Sequence, residues 1–397
     1  MSKGESVTIS APSTPSEDTY ADLPRTETRF VQLDGPFITL SGKKIPQVTL
    51  AYEMYGELNE ARDNVILVFH ALTGSQHAYG FTESVPGVGD KWTEEMQVGW
   101  WEGFIGPGLA LDTNRYAVMC VNYLGGCYGS TGPSSTNPAT GRPYGSAFPN
   151  LTITDIVDSQ VQLLDKLGIE RIHACTGGSV GGLMALVMGT RYPDRVKVVI
   201  PIAAGLGVTT LQVIHNFEQM FAIIADPNFR GGDFYDDPPP DLGLALARMI
   251  GHKTFVSLAA FRERIRKEII HRDYLAGFRV QHPMESYMLH QGQKFVERFD
   301  ANTYLRVVRV WQKFDLLREV GGQNIAEVLG RCRNQQWMVF SIDSDVCFYP
   351  DEQEHMVRQL NAAEVPVLWH TVHSDKGHDA FLLEPEKFRP GLQAVLH

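Results

Sequence analysis

The sequence predicts an α/β fold: a mostly parallel, doubly wound sheet with a helical lid insertion. Three observations carry this expectation. Near-continuous apolar runs at residues 64–70, 116–123, 172–175 and 196–204 have the length and composition of strands buried on both faces. Helical patterns alternate with these runs, and a β–α–β–α–β order demands a parallel sheet with helices on both faces. From about residue 205 to residue 318 the strand runs vanish and helical patterns replace them. The expected division is therefore a disordered tail over 1–27, a core built from 28–205 and 319–397, and a helical lid over 206–318.

The totals narrow the function classes. The 397 residues carry 35 Lys and Arg against 46 Asp and Glu, a formal charge of −11, and no basic block. That argues against nucleic acid as a partner. Five scattered cysteines without C-x-x-C spacing argue against a disulfide framework or a structural zinc, and for a reducing compartment. No apolar leader and no stretch of 18 apolar residues is present, so no membrane partner and a cytoplasmic location are expected.

Taken in order, the first 27 residues are rich in Ser, Thr, Pro and Glu and have little to bury. Residues 30–40 and 47–55 alternate apolar and polar side chains, which suggests antiparallel strands with one solvated face. The strand over 64–70 runs into His70-Ala-Leu-Thr-Gly-Ser75; His70 is read as ordering this loop rather than acting in chemistry. Trp100 and Trp101 could line a pocket or fill the core. Residues 124–149 are rich in Gly, Ser, Pro and Asn without periodicity, the mark of a functional surface loop. Ser130 lies within it, but no strand–turn–helix surrounds it. Residues 152–167 form an amphipathic helix, capped by Thr152 or Thr154 and stopped by Gly168. The lid pattern predicts helices over 210–225, 242–249, 258–270, 283–299 and 301–310. The sheet resumes at 337–342, and a helix over 353–360 leads to a last strand at 365–372.

Chemistry concentrates at Gly177-Gly178-Ser179-Val180-Gly181, where an apolar strand meets a helix. This is G-x-S-x-G in the strand–turn–helix context of a nucleophile elbow. The glycines at 177 and 181 let the turn approach its neighbours, and Ser179 sits at the tip beneath the first N–H groups of the helix. A serine hydroxyl needs a base to take its proton and a carboxylate to orient that base. The two late strands end near Asp345 and His378, in the chain order that an elbow of this kind requires. Asp343 and His373 are the rival acid and base. The oxyanion donors are expected to be the backbone N–H groups of Val180 and of Leu72, with Ala71 the competitor for the second.

These segments resemble the homoserine O-acetyltransferase family, acyl-CoA-dependent O-acyltransferases of the α/β-hydrolase fold that serve methionine and related biosynthesis. The likeness covers about residues 28–397. It rests on HALTG (70–74), GWWEGFIGPG (99–108), the stretch 112–135, FPNLTITDIV (148–157), GGSVGG (177–182), ADPNF (225–229), GLALAR (243–248), KFVERFDANTYL (294–305), SDVCFYP (344–350) and GHDAFL (377–382). The resemblance implies that Ser179, Asp345 and His378 act as a triad and that the enzyme works by ping-pong transfer. It further implies that Asp379 meets the amino group of the acceptor, and that the chain pairs as a homodimer through its helical region. Small-molecule substrates, an acyl-CoA and a hydroxy compound, are the implied partners; no cofactor and no metal are implied. One departure stands out. Where the family carries an acceptor-binding arginine in N-x-x-x-R-x-A-I, this chain has Met220 in Asn216-Phe-Glu-Gln-Met-Phe-Ala-Ile223. Either a basic residue such as Arg230 or Arg262 compensates, or the acceptor is not an amino acid.

Overall fold

A computed structural model describes Tyr20 and residues 22–265, 274–275 and 278–396. Eight strands make the central sheet: β1 Arg29–Gln32, β2 Thr49–Tyr55, β3 Val65–Phe69, β4 Ala117–Val121, β5 Ile172–Gly178, β6 Val196–Ile202, β7 Gln336–Ile342 and β8 Val367–Val372. Their spatial order is β1-β2-β4-β3-β5-β6-β7-β8. Only β1 against β2 and β2 against β4 run antiparallel; every other pairing is parallel. This is the α/β-hydrolase arrangement, with the sheet at the centre of two apolar layers. Val65, Leu67 and Phe69 of β3 face one core, while Ile66 and Val68 face the other.

Several expectations on the edges need correction. Residues 30–40 do not form one strand: β1 ends at Gln32, and Phe37–Ile38 folds back on Lys44–Ile45 as a separate hairpin. Strand β2 is not solvated on one face. Its interior is buried on both, because the 122–131 segment lies over it: the N–H of Ala51 donates to Ser130 Oγ and that of Thr131 to the Thr49 carbonyl. Of the tail over 1–27, residues 1–19 and 21 lie outside the described residues. The segment nearest β1 is tied down, since the N–H of Thr26 donates to the Phe81 carbonyl and that of Phe81 to Pro24.

The first crossover helix, α1 (Ile153–Lys166), begins on Thr152, which forms a capping box with Asp155; Gly168 at φ +69° turns the chain out of it. Helix α2 (Val180–Arg191) is apolar on every side and buried throughout except at its last residue, wedged between the sheet and α1. After β6 come α3 (Thr210–Ile224), α4 (Asp241–Phe255), α5 (Leu258–Ile265), α6 (Pro283–Arg298) and α7 (Ala301–Gln312). The helix expected over 258–270 is described only to Ile265, and its remainder lies outside the described residues. Two short helices, α8 (Leu316–Val320) and α9 (Ile325–Gly330), lead to β7. Helix α10 (Pro350–Ala362) joins β7 to β8, α11 (Ala380–Leu383) follows the last loop, and α12 (Pro385–Leu396) closes the second core with Phe388 and Leu392. The sequence reading did not anticipate α8, α9, α11 or α12. Among the described residues no helix is long and apolar enough to cross a membrane.

Packing is tight between the end of β3 and the start of α2. A Cβ on Gly181 would stand 2.2 Å from the Phe69 carbonyl oxygen, and one on Gly177 would stand 2.5 Å from the same atom. Backbone cannot yield there as a flexible side chain can. We expect Gly181→Ala to cost about 1–3 kcal/mol, the usual penalty of overpacking, read as a lower midpoint in urea unfolding. An unchanged midpoint would show that β3 and α2 can separate freely.

Candidate active site

The elbow sits where that packing places it. Ser179 is the residue between β5 and α2, held at φ 60° and ψ −126°, a region a non-glycine residue occupies only under constraint. Its N–H donates to the Ile202 carbonyl at the end of β6 (3.0 Å), which pins the turn to the neighbouring strand. The N–H of Val180 opens α2 and, like every first-turn donor, has no acceptor within the helix.

The loop after β7 brings Asp345 beneath His378. His378 Nδ1 lies 2.6 Å from Asp345 Oδ2, and both side chains are almost fully buried. The other carboxylate oxygen of Asp345 accepts from the N–H groups of Cys347 (2.7 Å) and Phe348 (3.0 Å), so the acid is fixed by backbone donors. The Phe348 ring stacks on the His378 imidazole at 5.5 Å, and Phe381 meets it edge-on at 5.4 Å. Burial opposes a charge on this imidazole. The carboxylates of Asp345, Asp379 and Glu352 outweigh that penalty, and the net effect is a raised pKa. Nε2 of His378 is buried and, among the described residues, has no hydrogen-bond partner. The bond from Ser179 to this nitrogen is therefore not closed here, yet both residues line one cavity of about 300 Å³.

The same cavity is lined by Ala71, Leu72, Asp379 and Trp100, so both candidates for the second oxyanion donor stand at its wall. Trp101 does not: it is core, its indole N–H donating to the Phe381 carbonyl (2.8 Å). The rival acid and base find each other instead. Asp343 and His373 pair at 2.8 Å on the exposed rim, away from the cavity lining. His70 stacks on Tyr123 at 3.5 Å, and its Nδ1 lies 2.8 Å from the Ala71 carbonyl. Burial pulls its pKa down to about 3, which keeps it neutral within the loop it orders. Ser130 Oγ donates to the Asn122 carbonyl (2.6 Å), a structural bond.

The substrate-binding expectations divide. Asp379 lines the cavity beside His378. Met220 does not: it packs half-buried against the core from α3, outside the cavity lining. Neither proposed substitute reaches the site. Arg230 pairs with Asp237 at the surface, and Arg262 is exposed. The sequence reading missed the two cations that do line the cavity, Arg248 of α4 and Arg298 of α6. It missed His77 as well, whose Nδ1 lies 2.9 Å from the buried Glu53 carboxylate. Arg248 ends the quoted GLALAR segment, so its signal was a lone cation in an otherwise apolar stretch.

Residues 64–385 match the α/β hydrolase fold family. A homoserine O-acetyltransferase from Mesorhizobium japonicum is 42% identical over 371 residues, spanning 93% of this chain and 92% of the relative. The chain belongs to the homoserine O-acetyltransferase family. It is thus an enzyme of the acyltransferase class. A homoserine O-succinyltransferase from Alkalilimnicola ehrlichii is 40% identical over 376 residues, 93% of this chain and 95% of that one. Among solved structures, esterase E22 superposes with a TM-score of 0.83 at 26% identity over 94% of this chain and all of that one. The family thus spans two acyl groups by name, and its fold also carries hydrolysis.

The raised pKa of His378 has a sign that can be checked. A base must be neutral to accept a proton, so kcat/KM for a p-nitrophenyl ester falls as pH drops through the His378 pKa. We expect the midpoint of that acid limb above 6.5, the ordinary histidine value. Glu352→Gln removes one of the charges that raise it, and shifts the midpoint down. A limb at or below 6.5 would mean that burial, not the carboxylates, governs this imidazole.

Proposed function

We propose that this enzyme moves an acyl group, acetyl by preference, from an acyl-CoA to the hydroxyl of L-homoserine or a related hydroxy compound, by way of an acyl-enzyme on Ser179. The observation that carries the reading is the buried Asp345–His378 pair, at 2.6 Å, with His378 and Ser179 in the lining of one cavity. Ser179 Oγ attacks the thioester carbonyl while its proton passes to His378 Nε2. The N–H groups of Val180 and Leu72 receive the oxyanion. The C–S bond breaks, and the CoA thiolate leaves with the proton from His378. The acceptor hydroxyl then gives its proton to His378 as its oxygen attacks the acyl-enzyme; the Ser179–acyl bond breaks, and Ser179 recovers the proton. Asp345 holds the imidazole in the tautomer that both halves need. No resident cofactor or metal enters the scheme. Five buried, unbridged cysteines support a cytoplasmic setting, and the family's usual role supports methionine biosynthesis.

A thiol assay tests the reading: CoA release from acetyl-CoA and succinyl-CoA, each with and without L-homoserine. We expect release to rise with homoserine, and Ser179→Ala to lower turnover by roughly 10⁴-fold or more, since the triad acts as a unit. Met220, and the fold shared with an esterase, favour a second reading in which water takes the acyl group. A rate indifferent to every alcohol would establish that one.

The reading includes a homodimer. Leu211, Ile214, Phe217, Phe221 and Ile224 of α3 form a stripe at helical spacing, each more than half exposed, and Leu242 of α4 continues it. We expect sedimentation to give twice the 44.3 kDa chain mass, and Phe217→Asp to return a monomer. A monomeric parent protein would reject the pairing.

A further inference from the structure

Trp311 stands between two cavities. Its indole belongs to the last turn of α7 and is 1% exposed. It lines the catalytic cavity together with Ser179 and His378, and it also lines an adjoining cavity of about 130 Å³. No other residue is common to the two linings. The ring is fixed by its neighbours. It stacks on Phe348 at 5.5 Å with an interplanar angle of 19°, and Phe348 in turn stacks on the His378 imidazole. The N–H of Phe348 also donates to the Asp345 carboxylate. Displacing the indole therefore disturbs the ring against which the catalytic base packs, so the partition behaves as a wall and not as a hinge.

The second cavity has a chemistry of its own. Leu211 of α3 and Val346 and Tyr349 of the loop after β7 stand at its exposed side. Its polar wall groups bond one another: Thr254 Oγ1 lies 3.2 Å from His215 Nε2 and meets the Cys347 thiol, and Gln212 Nε2 donates to the Cys347 carbonyl (2.8 Å). The lining holds no lysine, arginine or carboxylate. Burial, with the charge of Lys253, lowers the pKa of His215 and keeps its imidazole neutral. A space of this kind accepts a straight aliphatic chain and penalises a charged group.

We propose that Trp311 fixes the upper size of the acyl group that this enzyme transfers. With the indole in place, the acyl group on Ser179 must end within the catalytic cavity. Without it the two cavities become one, and a longer aliphatic acyl group fits. This deepens the acyl-transfer reading given above and rests on the Ser179 acyl-enzyme.

The test compares p-nitrophenyl acetate with p-nitrophenyl hexanoate, and acetyl-CoA with hexanoyl-CoA and succinyl-CoA in the presence of L-homoserine. In the parent enzyme kcat/KM is expected to fall steeply from acetate to hexanoate. Trp311→Ala is expected to raise the hexanoate-to-acetate ratio of kcat/KM at least tenfold, since a single methylene in a fitted pocket is worth about 10-fold or more. Trp311→Phe should gain less. Hexanoyl-CoA should gain likewise against acetyl-CoA, and succinyl-CoA less, because its carboxylate meets no cation in the second cavity. Adding Leu211→Trp, which refills that cavity from its exposed side, should take the gain back. A ratio equal to the parent's, whether both rates hold or both fall, would reduce Trp311 to core filling and overturn the proposal. A parent enzyme that already turns over hexanoate as fast as acetate would do the same, as would a gain for succinyl-CoA without one for hexanoyl-CoA, or a gain that survives Leu211→Trp. Should Trp311→Ala not fold, Trp311→Leu carries the comparison with an apolar side chain still in the wall. Should the parent enzyme transfer nothing to homoserine while cleaving the esters, the acyl-transfer reading falls, and the ester ratio alone decides for Trp311.

Discussion

The structure depends on how closely the start of α2 approaches the end of β3. The Phe69 carbonyl leaves no space for a side chain at either Gly177 or Gly181, and the chain between them must turn within three residues. That constraint forces Ser179 to φ 60°, and the bond from its N–H to Ile202 holds it there. The strain is local and the support is extensive. An all-apolar helix is buried behind the turn, with parallel strands on both sides of the one that leads into it. A side chain presented in this way keeps its hydroxyl at the floor of the cavity without a lever arm to move it away.

Much of this was legible in the sequence because the features involved are short-range. An apolar run followed by G-x-S-x-G states both a strand and its turn. Asp345 and His378 could be placed because each follows a strand in the sequence. The long-range partners were hidden. Nothing in the primary structure joins Arg298 to Glu95, some two hundred residues away, or sets His77 against Glu53. The same blindness applied to Met220. A motif comparison located its position in the chain, but whether α3 turns that position toward the cavity depends on how α3 packs against α4 and α7. The edges of the sheet were misread for a related reason. The solvation of β2 is decided by a loop that arrives seventy residues later, and alternation within the strand does not report a cover supplied from elsewhere.

The buried charges show how the fold divides its polar work. Glu53 is held by Thr28, Tyr55 and His77 and secures the loop that carries Leu72. Glu95 neutralises Arg298 and joins α6 to the segment before Trp100. Each of these charges is matched where it stands. Arg248 departs from that rule. Among the described residues its guanidinium lies against Phe255 and Phe295 with no ion pair.

The Asp343–His373 pair on the rim has a mechanical meaning. With Asp343 also accepting from the N–H of Ser374, and Ser344 Oγ from that of Gly377 (both 3.0 Å), the loops after β7 and β8 are stitched together at three points. These bonds tie the loop that carries Asp345 to the loop that carries His378. The imidazole and its carboxylate thus enter each half-reaction already aligned, with little reorganisation left to perform. The compliance required to admit one substrate and release another must come from the opposite wall, where α4 and α6 stand over the cavity.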